Sequence, residues 1–416
     1  MSIRMRLIIM SFFQFFVWGA WLITVGNYWF ITKQWGGAEF GAIFSTLGIS
    51  SIIMPAITGI LADKWINGER LYGLLHILSG LAVACLPMAD SPERFYWTIF
   101  FAMLCYMPTI ALSNSVAYTI LKERSMDVIR IFPPIRVWGT IGFIVAMWVT
   151  NLSGSKANAN QFYISAAGSL LLGLYAFTLP ACRPRRSIAE DASFSEKFGL
   201  SAFRLFGQYK FALFFIFSMF LGAALQLTNM YGDAFLSEFA KNPDYADSPV
   251  VRYSTLIMSV SQISETLFIL TIPYFLHRFG IKNVMLMSMV AWVFRFALFA
   301  YGDPAGGLWM IILSGIVYGM AFDFFNISGS LFVETNTDSN IRGSAQGLFM
   351  MMCNGIGAFL GAQVSGWLID QFFTQDGNRD WHHIWLTFAS YALVIAVAFA
   401  ILFRHKHKAE TIENGK

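Results

Sequence analysis

The sequence predicts an all-α membrane protein of twelve transmembrane helices, and two observations lead there. Of the 416 residues, 56% are hydrophobic and only 12% are charged, whereas a soluble domain carries about 25% charged residues. Apolar runs longer than about 18 residues, enough for a helix to cross a bilayer, recur from one end to the other. The 42 Phe and 13 Trp also exceed what one water-soluble core needs. The excess of 28 Lys+Arg over 24 Asp+Glu is small, and the basic residues lie between apolar runs. No nucleic acid partner is expected from that pattern.

Apolar runs bounded by charged or Gly/Pro-rich breaks place the spans at about 7–31, 40–62, 71–89, 95–120, 135–153, 161–181, 210–236, 254–276, 283–302, 307–332, 343–369 and 383–403. The first run follows Arg4 and Arg6, exceeds the core of a signal peptide and has no small-residue cleavage site after it, so it is expected to remain as the first span. An even number of spans puts both termini on one side. With the termini cytoplasmic, the 28 Lys and Arg divide as 20 inside, 6 outside and 2 within spans, as retention of basic loops in the cytoplasm requires. The acidic loop around Glu238, Asp244 and Asp247 and the loop 376–380 then face outward. Cys85, Cys105, Cys182 and Cys353 lack metal-site spacing and read as fillers of the lipid phase; no metal is expected.

The longest interior linker, 183–208, holds Arg183, Arg185, Arg186, Glu190, Asp191, Glu196 and Lys197 and divides the spans six and six. It could be an ordinary loop with a short amphipathic helix at 194–206, or a joint between domains 1–182 and 209–416. A repeat favours the joint. Ile135, Arg136 and Phe143 at the fifth span match Ile341, Arg342 and Phe349 at the eleventh, an offset of 206. The end of the second span, Pro55 to Lys64, similarly matches the end of the eighth, Pro273 to Lys282. Such a six-plus-six duplication is the internal symmetry of the major facilitator fold. The turn Gly59-x-x-x-Asp63-Lys64 resembles the facilitator loop motif between spans two and three. Asp63 with Lys64 is therefore expected as a conformational latch, since an acid at a helix end can accept bonds from a neighbouring helix's amino terminus; a plain charged turn is the alternative.

A charge in hydrocarbon costs a few kcal/mol or more, so ionisable residues inside spans should face a cavity or a partner. Arg136, Glu265, Arg295 and Asp323 are the four considered. Helical spacing gathers companions around three of them. Arg136, Thr140 and Phe143 share a face of span five, Gln262 and Glu265 are three apart in span eight, and Tyr318, Phe322 and Asp323 cluster on span ten. Gln226 and Asn229, three apart in span seven, make a fourth polar face. One amide pair alone is more often interhelical glue. Four sets together supply amides, a carboxylate and a hydroxyl for sugar hydroxyls, and aromatic faces for a planar ring. That chemistry fits a nucleoside. Arg136 follows Pro133-Pro134, so span five is expected to start there, with the guanidinium about one turn inside.

The stretches Phe132 to Phe143, Gln226-Leu-Thr-Asn229, Ser261-Gln262-Ile-Ser-Glu265 and Tyr318 to Gly329, with Ser11 to Gly19, Met107 to Asn114 and Tyr301-Gly-Asp303-Pro304, resemble the bacterial nucleoside-proton symporter family over essentially the whole chain. The resemblance implies a twelve-helix facilitator in the bacterial inner membrane that takes nucleosides up with protons by alternating access, the substrate held in a central cavity between two halves. It implies a substrate site of Arg136, Thr140, Phe143, Gln226, Asn229, Gln262, Glu265, Tyr318, Phe322 and Asp323, with Asp323 and Glu265 as proton-coupling candidates. A monomer with no cofactor beyond the coupling proton is expected. Asp233 departs from the family pattern, where Asn is expected, which puts entry electrostatics in doubt. Arg295 lies outside the implied set and reads as a structural partner or a snorkelling base.

A proton-coupled sugar or oligosaccharide symporter is the alternative transporter, and a non-transporting sensor is a third reading. An intramembrane enzyme would have to enlist Asp376, Asp380, His382 and His383, or His405 and His407. The first group reads as a solvated outer loop and the second as a basic tail, with neither a Ser/His/Asp nor a His-x-x-x-His arrangement. No enzyme is expected.

Overall fold

The computed structural model describes residues 2–184, 200–337, 341–375 and 377–404. Most of the expected linker, His405 and His407, Asp376 and the side chains of Asp63 and Lys64 lie outside the described residues. Contacts divide the chain into two compact units, Met1–Phe198 with Asn229–Ala234, and Gly199–Thr228 with Phe235–Lys416.

The first unit contains α1 (Ile3–Gly19), α2 (Gly37–Lys64), α3 (Gly68–Cys85), α4 (Pro92–Glu123), α5 (Val128–Leu152) and α6 (Asn160–Ala176). The second contains most of α7 (Tyr209–Glu238), with α8 (Ser254–Ile269), α9 (Ile272–Tyr301), α10 (Leu308–Asn336), α11 and α12 (Trp381–Leu402). Helix α11 runs through Arg342–Met350, a π-helical Met351–Gly357 and Ala358–Phe372. Among the described residues nine helices are long and apolar enough to cross a membrane. The first, sixth and eighth expected spans complete the twelve, each shortened or interrupted.

Local chemistry explains the interruptions. The first span stops being regular after Gly19, because the Ala20 carbonyl is taken by the hydroxyls of Thr24 at 3.4 Å and Thr150 at 3.0 Å instead of continuing the helical ladder. It resumes as Val25–Asn27 and a π-helical Tyr28–Thr32. The eighth span pauses between Ile269 and Ile272, and Gly280, at φ 75° and ψ 167°, turns the chain into the ninth. Only glycine adopts that conformation cheaply. The fifth span differs from expectation: its helix starts at Val128, so Pro133-Pro134 lies inside it and Arg136 sits beyond the second turn. In the linker, Leu200–Gly207 forms a 3-10 helix in place of the latter part of the expected amphipathic segment.

The same pairings occur in both units. In the first, α1 packs on α5, α2 on α4, and α3 on both α4 and α6. In the second, α8 packs on α10, and α9 on both α10 and α12, while α7 meets α11 so closely that a Cβ on Gly222 would lie 1.8 Å from the Cys353 carbonyl. The counterpart contact on α1 and α5 is Gly142, where a Cβ would lie 2.1 Å from the Phe12 carbonyl. Small residues allow such backbone approach where lipid provides no hydrophobic drive between helices. Displaced by six helices, the pairing reproduces the expected duplication.

Loops sort to opposite ends of each unit. In the first, Arg6 donates to the Thr178 carbonyl and Glu69 accepts from the Cys182 N–H, placing the chain start, the α2–α3 turn and the end of α6 together. Lys33 donates to the Ala89 carbonyl and Thr32 to that of Ala157, grouping the other three connections. In the second unit Glu238, the last residue of α7, accepts from Arg379 before α12 and from the indole of Trp381 at its start. At its other end Lys282 donates to the Ala400 carbonyl.

Candidate functional site

Two glycines one turn apart build the polar face of the second unit. A Cβ on Gly319 would sit 2.6 Å from Ser264, and one on Gly315 would sit 3.1 Å from Val260. Helix α10 therefore approaches α8 closely, and the Ser264 hydroxyl donates to the Ile316 carbonyl across the seam. Gln262 and Glu265 of α8 are thereby set beside Tyr318, Phe322 and Asp323 of α10. Glu265 and Asp323 act electrostatically on each other and on Tyr318. The rings of Tyr318 and Phe322 stack at 6.0 Å and 9°, with Trp292 edge-on to Tyr318 at 5.8 Å.

Three of the expected substrate-site residues keep a buried polar atom without a hydrogen-bond partner among the described residues: Gln226 Nε2, Gln262 Oε1 and Asp323 Oδ2. Leaving such an atom desolvated and unpaired costs about 1 to 3 kcal/mol. Native proteins rarely accept this except where a ligand or water completes the bond. A donor on α7, an acceptor on α8 and an acceptor on α10, which also carries the pair of stacked rings, are groups suited to a molecule with hydroxyls and a flat ring.

In the first unit the Arg136 guanidinium lies 4.0 Å over the Phe15 ring, a cation–π arrangement that holds it on α1. Phe143, two turns on, meets Trp18 edge-on at 6.3 Å, and Thr140 between them is half-buried. Asn229, half-buried on α7, groups with this unit. The structure thus gathers Glu265, Tyr318, Phe322 and Asp323, joins Gln262 to them, and places Arg136, Thr140 and Phe143 along one face of α5.

Arg295 is fully buried, so the snorkelling alternative is corrected. Its Nε donates to Thr228 of α7 at 3.3 Å and one terminal nitrogen to the Ser314 carbonyl of α10 at 2.6 Å, and its guanidinium lies 4.6 Å over Tyr318. Asp233 is also fully buried and accepts from Asn27. Lys156, in the α5–α6 loop, has its pKa lowered by burial and partly restored by the charge of Asp233. Asp233 is thus a buried acid near the end of α7, bonded to Asn27 and within electrostatic reach of Lys156.

Sequence reasoning missed a polar hub in the first unit. Gln14 bonds Thr109 at 2.9 Å, Tyr72 at 2.7 Å and His76 at 3.0 Å, and His76 bonds Ser169 at 3.1 Å. A histidine within an apolar run was the available signal. It also missed that the face of α10 below Asp323 continues through Asn326, Ser330 and Glu334, which with Gln346 line an open cavity of about 540 Å³. The i, i+3, i+7, i+11 spacing would have found it. A second cavity, of about 390 Å³, lies among Phe220, Leu360, Val364 and Tyr391 and is apolar, with no polar cluster suited to a nucleoside. Of the residues weighed for an enzyme, Asp380 caps α12 through the His383 N–H at 3.2 Å, and His382 bonds the Ala300 carbonyl at 2.8 Å.

The family model described as nucleoside H+ symporter matches residues 1–408. The chain belongs to that family. As a nucleoside H+ symporter family member it is a multi-pass membrane transporter and not an enzyme. It is 51% identical to the xanthosine permease of Escherichia coli (strain K12), over 100% of this chain and 99% of that protein. It is 50% identical to the nucleoside permease NupG of the same organism, over 98% and 97%. The fold matches the crystal structure of the nucleoside transporter NupG with a TM-score of 0.91 at 50% identity, covering 98% of this chain and 100% of that one. A D-xylose-proton symporter structure, 14% identical with a TM-score of 0.68 over 98% of each chain, shares the fold alone.

Proposed function

We propose that this protein carries nucleosides inward across the bacterial cytoplasmic membrane together with protons, by alternating access, as a monomer without a cofactor. Membership of the symporter family gives the reaction class. The observation that carries the substrate reading is that Gln226, Gln262 and Asp323 each keep a buried polar atom without a partner among the described residues, with Tyr318 and Phe322 stacked on the helix that holds Asp323. A ribose hydroxyl can donate to Gln262 or Asp323 and accept from Gln226, while the base lies against an aromatic face. Glu265, and in the first unit Arg136, Thr140, Phe143 and Asn229, are the other proposed substrate contacts. Relatives named for xanthosine and for nucleosides support the same substrate class here.

Proton coupling is assigned to Asp323 and Glu265. A carboxyl that meets apolar surroundings in one facing and water in the other loads and releases a proton in step with the conformational cycle. A cytoplasmic location of both termini is part of this proposal, supported by the 20 of 28 Lys and Arg that the sequence puts on that side. Asp63 and Lys64 remain proposed as the latch of the α2–α3 turn.

The test is uptake of labelled uridine, inosine and xanthosine into proteoliposomes with and without an inward proton gradient. Gradient-dependent accumulation of at least one nucleoside is expected. Transport of free ribose or disaccharides in its place, with no nucleoside bound, would reject this reading.

A further inference from the structure

Helix α7 does not belong wholly to either unit. Its residues Asn229–Ala234 are counted with the first unit, while the helix before and after them belongs to the second. That turn carries Asn229, a proposed substrate contact, so whatever fixes the turn also fixes the contact. Three contacts hold it among the described residues. Gly26 of the first span lets the backbones come close, since a Cβ there would lie 3.2 Å from both the Met230 carbonyl and the Ala234 side chain. Tyr231 meets the ring of Phe40, on α2, at 5.9 Å. Asp233, one turn beyond Asn229 on the same helix face, is fully buried and accepts a bond from the side-chain amide of Asn27, itself fully buried.

Only the last contact involves a charge, and a carboxylate inside a protein is costly unless it is bonded and met by an opposite charge. Asn27 supplies the bond: its Nδ2 faces Asp233, while its Oδ1 is buried with no partner among the described residues. The opposite charge comes from the α5–α6 loop. Lys156 there is half-buried, which lowers its pKa, and the Asp233 carboxylate acts on it in the opposite sense. That loop is tied down. Gln161, at the start of α6, donates to the carbonyls of Lys156 at 3.1 Å and Asn158 at 3.2 Å, and accepts from Thr24 of the first span at 2.9 Å. Thr32 of the same span donates to the Ala157 carbonyl. Lys156 is thus held by the span that carries Asn27. Asp233 stands where the family pattern expects Asn, and an amide could make the bond to Asn27; what the carboxylate adds is attraction to Lys156. We propose that Asp233 is a positioning residue for nucleoside binding: bonded to Asn27 and balanced by Lys156, it clamps the Asn229-bearing turn of α7 to the first unit, so that Asn229 meets substrate in register with Arg136, Thr140 and Phe143. This rests on the reading of Asn229 as a substrate contact and adds what holds it in place.

Equilibrium binding of labelled uridine to the purified protein tests it through a set of variants. Asp233→Ala removes both bond and charge and should weaken binding by about tenfold, within the range for a hydrogen bond to a charged group. Asp233→Asn and Lys156→Gln each strand one member of the pair and should each weaken binding severalfold. Their double leaves neither charge and should bind within about twofold of the parent. Losses that simply multiply in the double overturn the clamp. The decisive comparison is with Asn229→Ala. Because Asp233 acts through Asn229, adding Asp233→Ala to Asn229→Ala should cost no further affinity; a full additional loss overturns the positioning role, since a purely structural carboxylate acts whatever stands at 229. Asp233→Asn, close in shape, carries the same comparison where Asp233→Ala does not fold. A second readout needs no substrate: acylation of the Lys156 amine against pH, followed by mass spectrometry with the exposed Lys241 as reference. Losing the carboxylate removes what raises the Lys156 pKa, so the labelling midpoint in Asp233→Asn should move to lower pH while that of Lys241 stays. An unchanged Lys156 midpoint also overturns the proposal. If Asn229→Ala alone leaves uridine affinity unchanged, the reading of Asn229 as a contact fails and takes this proposal with it; if Asn229→Ala weakens binding and the Asp233 variants do not, only the clamp fails.

Discussion

The Arg136 guanidinium lies 4.0 Å over the Phe15 ring, a contact in which its plane can stack as an ammonium cannot. Lysine at this position keeps the charge and loses both the stacking and the fork of donors. Arg136→Lys should therefore express normally and transport poorly, measured as uridine uptake per unit of membrane-inserted protein; full uptake would return Arg136 to a purely topological role. Gln226, a proposed substrate contact, poses a different question, since its Nε2 is buried without a partner among the described residues. Gln226→Ala, and likewise Asn229→Ala, should weaken nucleoside binding by about 1 to 3 kcal/mol. Equilibrium binding of labelled uridine reads this directly. An affinity unchanged in both variants removes α7 from the substrate site.

Helices in these units hold together by close backbone approach, and the glycines that permit it differ sharply from those that do not. A methyl on Gly222 would meet the Cys353 carbonyl at 1.8 Å, whereas one on Gly59 of α2 would meet nothing within 4 Å. Gly222→Ala should destabilise the protein by about 1 to 3 kcal/mol through forced separation of α7 and α11. Gly59→Ala should be neutral or slightly stabilising, since alanine favours a helix over glycine. Melting temperatures in detergent compare the two. At the start of α12, burial of the Asp380 carboxyl opposes ionisation, but the bonds and charges of His383 and the charge of His382 outweigh it and hold its pKa below the usual carboxylate range. A carboxyl whose folded pKa is depressed stabilises the fold above its unfolded value of about 3.9, and that contribution is lost as pH falls through the folded value. Asp380→Ala should cost about 0.5 to 2 kcal/mol at neutral pH, and the gap to the parent should close in acid. A gap that persists below pH ~3 would assign the loss to packing.

For the molecule as a whole, uptake against a gradient requires that proton and nucleoside bias the same conformational equilibrium. Asp323→Asn and Glu265→Gln remove a titrating group while keeping size and hydrogen-bonding capacity. Each should abolish accumulation driven by an inward proton gradient while exchange of internal for external nucleoside survives. Counterflow and acid-pulse uptake in the same proteoliposomes separate the two activities. Undiminished acid-driven accumulation in both variants and their double would take proton coupling away from these carboxyls.

The sequence by itself determined the class of fold, the number of spans and the residues of the proposed site, because each depends on local chemistry. Apolar length sets a span whatever surrounds it. Three- and four-residue spacing puts Gln262 with Glu265, and Tyr318 with Phe322, on one helix face before any neighbour is known. The interruptions were not legible in the same way. That Ala20 gives its carbonyl to Thr150 depends on a helix 130 residues away, and that α5 runs through Pro133-Pro134 back to Val128 runs against what proline favours locally. Gln14 and His76 became a hub only when four helices brought Tyr72, Thr109 and Ser169 around them. Arg295 shows the division most plainly. Its charge and its place in the ninth span could be read from the chain, but whether it reached for water or was sealed under Tyr318 was decided by α7 and α10 closing over it, since only tertiary packing determines which buried charge finds a partner.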